Sequence, residues 1–248
     1  MSSSRLRAAL AAALTAASAL CAPLAHAATT ISSGDSIYIT KSDKTTSRCT
    51  LNHVVTEPGG QNRGVTAGHC LRTKDGVRIL SVKDASGHVI SSNPIDVVAV
   101  RTGNASFQNP RGDLTDIGTF RLASGVRYSG ELGGGTVSLP IPMTALSSEL
   151  ASVAAGNINP PLRVAGTLPV SEIHPGEVVC KDGSSTARTC GLVLATNPST
   201  GTIFAAIPAM SGDSGSPLYV NRADGTWIVG TLSQGSPLLF NLFDGAQV

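Results

Sequence analysis

Short runs of β-branched and aromatic residues, each closed off within a few positions by Gly, Asn, Asp, Ser or Pro, recur through most of this 248-residue chain. That rhythm restricts the fold more than any other feature. Residues 37–39, 49–56, 64–67, 77–82, 89–90, 95–101, 117–122 and 227–232 read as strands on this ground. Helical spacing is found at 143–155, where Leu146, Leu150 and Val153 follow a Thr144 cap inside a glycine- and proline-rich span from 130 to 161. Strands at such spacing, with no long helical segment before residue 143, predict an all-β barrel or sandwich. An apolar content of 41% supplies a core for one continuous fold at this length.

Residues 1–27 carry Arg5 and Arg7, then an Ala/Leu-rich run, then Ala25-His26-Ala27, the small-x-small form of a signal peptidase site. They read as a secretory signal peptide, with residues 28–248 as the exported domain. The apolar run is shorter than the roughly 20 residues a membrane span needs. Leu20 before Cys21 is too large for a lipoprotein signal. Export makes the expected location extracellular, with no membrane association after cleavage. Loss of Arg5 and Arg7 leaves 16 basic against 16 acidic residues, a balance that offers no field for nucleic acid. The expected state is a monomer.

Setting aside Cys21, four cysteines remain: Cys49, Cys70, Cys180 and Cys190. Three pairings are open in principle, and proximity favours Cys49 with Cys70 and Cys180 with Cys190. Each closes a short loop, worth about 3 kcal/mol in an oxidising compartment. No C-x-x-C or H-x-x-x-H spacing accompanies them, so no metal and no other cofactor is expected.

Chemistry concentrates in Gly212-Asp213-Ser214-Gly215-Ser216-Pro217, ahead of the apolar Leu218-Tyr219-Val220. Turn formers alone make a surface turn, but a serine between glycines also suits a nucleophile, with the N–H groups of Gly212 and Ser214 as oxyanion donors. A base is offered upstream by His69 in Thr66-Ala67-Gly68-His69-Cys70. Asp113 and Asp116 precede or open an apolar segment in which a carboxylate orients an imidazole. The chain order is His, Asp, Ser, the reverse of the α/β-hydrolase order.

Taken together, TAGHC, DIGTF and GDSGSP resemble the chymotrypsin-like serine proteases, the bacterial streptogrisin and alpha-lytic branch above all. The resemblance implies two packed antiparallel six-stranded β-barrels, about 35–125 and 162–248, with the active site between them. It assigns His69, Asp116 and Ser214 as the triad and makes the chain a serine endopeptidase acting on peptide or protein substrates. Cys180-Lys181 resembles the start of a bridged hairpin whose basic residue pairs with the aspartate before the nucleophile, here Lys181 with Asp213. Ser233, Gln234 and Gly235 match the strand edge that holds substrate backbone. Pro208, Ala209 and Met210 match the pocket for the side chain before the scissile bond. They carry no charge, so cleavage after apolar residues is implied, with Asp244 the one carboxylate near the C-terminus able to fold back towards it. Ser216 departs from the pattern, since most relatives have glycine there. The alternative function is a catalytically silent secreted peptide-binding protein on the same scaffold.

Overall fold

A computed structural model describes residues 28–136, 159–235 and 239–245; the signal segment 1–27 and the helix expected at 143–155 lie outside them. The first half holds β1 (Thr30–Ser33), β2 (Ser36–Lys41), β3 (Thr46–Thr50), β4 (Val54–Thr56), β5 (Asn62–Ala67), a single helical turn α1 (Gly68–Leu71), β6 (Ile79–Lys83), β7 (Val97–Gly103), β8 (Leu114–Arg121) and β9 (Arg127–Leu132). The second holds β10 (Leu162–Thr167), β11 (Val178–Gly183), β12 (Ala187–Asn197), β13 (Thr202–Ala206), β14 (Pro217–Arg222), β15 (Gly225–Gly235) and β16 (Phe240–Asp244).

Alternation drives the first half. In β2, Ile37 and Ile39 point inward and Tyr38 is only partly covered. The sheets β3-β2-β6 and β4-β5-β8-β7 close on one core containing Ile37, Ile39, Leu51, Val82, Ile90 and Phe120. Burial of each such side chain contributes about 1.5 to 3 kcal/mol. The second half closes completely: β11, β12, β13, β16, β15 and β14 pair antiparallel in that order, and β14 returns to β11. Its core holds Val179, Ile203, Leu218, Val229 and Phe243. A ribbon joins the halves, with β1 parallel to β9, β9 antiparallel to β10, and β10 parallel to the start of β15.

Two expected strands differ. The run 49–56 is broken after Thr50, because Leu51 turns to pair with Gly34 and Asp35 while Asn52 grips the other half. Asn52 Nδ2 donates to Gly230 O at 3.1 Å and Thr231 Oγ1 at 2.9 Å. Residues 89–90 form no strand of their own; Val89 makes an isolated bridge to Lys83, and Ser91 makes one to Leu122. The cysteines pair as Cys49–Cys70 and Cys180–Cys190.

One half-buried carboxyl sets a pH dependence. Desolvation lifts the pKa of Asp35 from 3.8 to about 6, against a hydrogen bond from Ser32 N–H that lowers it. The folded state therefore holds this proton more tightly than the unfolded one. The resulting stability is fully present below about pH 3.8 and is lost as pH rises through about 6. Asp35→Asn keeps an acceptor for Ser32, so it should raise the unfolding free energy above pH 6 by about 2 to 3 kcal/mol and change it little at pH 4. Urea titrations at the two pH values measure this, and an equal effect at both would refute it.

Candidate active site

His69 is delivered by β5. The strand ends at Ala67, extended at φ −67° and ψ 141°, and the chain turns at once into α1. Only glycine fits at the turn, because a Cβ on Gly68 would stand 2.1 Å from Val100 O. Cys70, one residue on, is bonded to Cys49 and so ties α1 to β3. Asp116, on β8, faces the imidazole across this turn. Its Oδ1 accepts the His69 backbone N–H at 2.8 Å and its Oδ2 lies 2.7 Å from His69 Nδ1. Asp113, the other carboxylate weighed in sequence, sits in the preceding loop and forms no ion pair among the described residues.

Asp116 is completely buried while His69 remains about one-third exposed. Burial alone would raise the carboxyl pKa. Hydrogen bonds from His69 and from Ser233 Oγ, the latter at 2.6 Å, instead hold it below the ordinary value. Two further neighbours escaped the sequence reading. Asp244 Oδ2 accepts the Asp116 backbone N–H at 2.5 Å. Asp244, which the sequence left able to fold back towards the substrate pocket, instead caps the backbone of Asp116. Arg101, directly across the ladder from Asp116, brings its Nε to 3.8 Å from Asp116 Oδ2.

Ser214 lies in the turn between β13 and β14. Thr50 N–H donates to Ser214 O at 2.8 Å, and Cys70 Sγ lies 3.9 Å from the same oxygen, which brings the serine beside the histidine turn. Gly212 has φ +102°, and a Cβ there would meet Ser185 Oγ at 2.5 Å, so the turn requires glycine. The N–H groups of Asp213, Gly215 and Ser216 are all taken by backbone carbonyls. Among the described residues, those of Gly212 and Ser214 have no acceptor, and Ser214 Oγ makes no hydrogen bond. Ser216, the departure from glycine, is fully buried and donates from Oγ to Asp213 O at 2.6 Å, which staples the turn rather than crowding it.

Beneath the turn, Asp213 is fully buried. Its Oδ2 accepts from Lys181 Nζ at 3.1 Å, Thr186 Oγ1 at 2.7 Å and Met210 N–H at 2.9 Å, while Oδ1 accepts Ser185 N–H at 2.7 Å. Lys181 is equally buried. Desolvation pushes its pKa down and the Asp213 charge opposes that. Next along β11, Asp182 forms a second buried pair that sequence reasoning missed. Arg188 clamps it with two bonds of 2.8 Å, and Tyr219 OH donates to it at 3.1 Å. The register that sets Asp182 opposite Arg188 was the available signal.

Ser233, Gln234 and Gly235 end β15. There β16 pairs on one side, while β14 reaches only as far as Thr231 in the ladder, and no other strand among the described residues covers that side. Ser233 turns its side chain inward to Asp116 and leaves only its backbone for a ligand. Of the expected pocket residues, Pro208 is exposed, Met210 is half-buried and Ala209 is packed into the second core. Asn241 Nδ2 donates to Ile207 O and ties this segment to β16. An imidazole held by a carboxylate, a free hydroxyl and two free N–H donors are the parts required for acyl transfer. Among the described residues, no cluster of His, Cys, Asp and Glu is suited to a metal.

No family model matches the chain. Uncharacterized proteins from two strains of Mycobacterium tuberculosis are each 40% identical to it over 68 residues, 27% of this chain and 31% of theirs, so the match spans under a third of those relatives. Among solved structures, Nocardiopsis protease superposes with a TM-score of 0.54 at 19% identity, covering 87% of this chain and 92% of that one. A glutamic-acid-specific serine protease gives 0.52 at 22% identity, covering 87% and 93%. Thermobifida fusca protease A gives 0.51 at 19% identity, covering 87% and 91%. With the closed second barrel and the His, Asp and Ser turns described above, these likenesses identify the architecture of this chain as the chymotrypsin-like fold of bacterial serine proteases.

Proposed function

We propose that the protein is a secreted serine endopeptidase, freed of residues 1–27 on export and active as a monomer. Ser214 Oγ attacks the peptide carbonyl, His69 takes its proton and returns it to the leaving amine, and Asp116 fixes the tautomer and supports the imidazolium. The N–H groups of Gly212 and Ser214 bind the oxyanion. The substrate backbone pairs with the free edge at 233–235 as an added strand. Pro208, Ala209 and Met210 receive the side chain before the scissile bond. Since they carry no charge, burying a cation or a carboxylate there costs several kcal/mol and apolar residues are favoured.

The observation that carries this reading is the pair of free N–H groups at Gly212 and Ser214, in a turn where the N–H groups of Asp213, Gly215 and Ser216 are engaged. Donors that the protein leaves unpaired beside a serine are free to receive a substrate oxygen. Ser214→Ala against the native protein, each purified after export of the full chain and treated with a fluorophosphonate probe, tests it. Native protein should label at Ser214 and the variant should not label. Folded native protein that fails to label would favour the silent peptide-binding alternative.

A further inference from the structure

Beside the strand edge at 233–235 lies a cavity of about 110 Å³ lined by Arg72, Arg101, Thr102, Ala105, Leu114 and Gln234. Its chemistry is one-sided. Arg101 leaves β7 directly opposite Asp116, and its side chain stays 39% exposed. Arg72 follows α1 and donates from Nη2 to Arg101 O at 3.0 Å, which pins its guanidinium against the end of β7. Among the described residues, no carboxylate lines the cavity. Asp116, whose Oδ2 lies 3.8 Å from Arg101 Nε, is fully buried and already accepts from His69 and Ser233. Ala105 and Leu114 give it an apolar floor, packed with Leu242. Two guanidinium groups above a short apolar floor suit a side chain with one or two methylenes ending in a carboxylate.

The strand edge fixes which substrate residue reaches it. Gln234 pairs with Leu242 and Gly235 with Asn241, so successive positions face opposite sides. Gln234 lies on the cavity side, with Leu242 in the cluster beneath. A peptide laid on the free edge alternates in the same way. If the residue before the scissile bond turns towards 208–210, the second and fourth residues before the bond turn towards the cavity. We propose that the Arg72–Arg101 cavity binds an acidic side chain at the second or fourth substrate position on the N-terminal side of the cut. This deepens the endopeptidase reading and rests on it for the direction in which the peptide lies.

Two measurements keep the ideas separable. Peptides differing only in Glu against Gln at the second, third or fourth position are compared for kcat/KM on native protein and for Kd on Ser214→Ala protein, which needs no turnover. Glu should improve both by about tenfold at the second or fourth position, least at high salt, and should not help at the third. Arg72→Glu should invert the Glu/Gln ratio and Arg101→Gln should reduce it, with melting curves verifying that both variants fold. The inference is overturned by a ratio near one at the second and fourth positions, by a preference at the third, or by a ratio that neither variant moves. Tighter binding of the acidic peptides to Ser214→Ala protein without fluorophosphonate labelling of native protein would sink the endopeptidase reading and leave the acidic subsite standing.

Discussion

Asp116→Asn should lower turnover on a peptide substrate by about 10⁴-fold, the cost expected when the orienting acid of a Ser-His-Asp arrangement becomes an amide. Both N–H groups of His69 now end on this carboxylate, at 2.8 and 2.7 Å, and Ser233 Oγ adds a third donor. An amide there can turn an N–H towards Nδ1, which selects the tautomer with its proton on Nε2, where the proton from Ser214 has to go. Asp113→Asn should stay within a few-fold of native. The pH dependence has a definite sign as well. Hydrogen bonding holds the folded pKa of Asp116 below the ordinary 3.8. Its stabilising contribution is thus present above the unfolded pKa and is lost as pH falls through the lowered folded value, so Asp116→Asn should blunt acid unfolding. Steady-state turnover of the two variants decides the assignment. Near-native activity in Asp116→Asn with a crippled Asp113→Asn would reverse it.

How much of this was legible depended on distance along the chain. Local signals read well: the strand at 37–39, the Gly-flanked turn at Ser214 and the two cysteine pairings all follow from near neighbours in the chain. The break at Leu51 and Asn52 did not read, because Asn52 gives up the sheet for hydrogen bonds to Gly230 and Thr231 that no local pattern announces. Asp244 was left unplaced for the same reason. Its position in the sequence is compatible with the pocket, and only the pairing of β16 with β13 and β15 carries it behind Asp116. The charged residues of β11 and β12 have the composition of a solvated hairpin. Three-dimensional closure of the second barrel buries Lys181 and Asp182 completely; the resemblance announced the partner of Lys181, but nothing announced the pairing of Asp182 with Arg188.

Lys181→Met is the variant expected to damage stability most. It removes the cation that, among the described residues, bonds Asp213 and leaves a carboxylate with no exposed surface, a situation that costs about 3 to 5 kcal/mol. The lower end applies, because Thr186 Oγ1 and the N–H groups of Met210, Ser185 and Thr186 still donate to Asp213. Those same bonds hold the segment on either side of Gly212, so the oxyanion turn should loosen and fluorophosphonate labelling of Ser214 should slow. Lys181→Arg keeps the charge but not the fit. Nζ already bonds Thr186 Oγ1 at 2.6 Å, and the space beside Gly183 would put an added Cβ 2.8 Å from Nζ. A bulkier guanidinium should therefore cost about 1 to 3 kcal/mol through overpacking while keeping most of the labelling rate. Urea unfolding and labelling kinetics on the same preparations separate the two effects. If Lys181→Met unfolds within 0.5 kcal/mol of native, an outcome about the size of an ordinary surface substitution, and labels at the native rate, the hydroxyl and backbone donors alone sustain the Asp213 charge and the ion pair does not hold the turn.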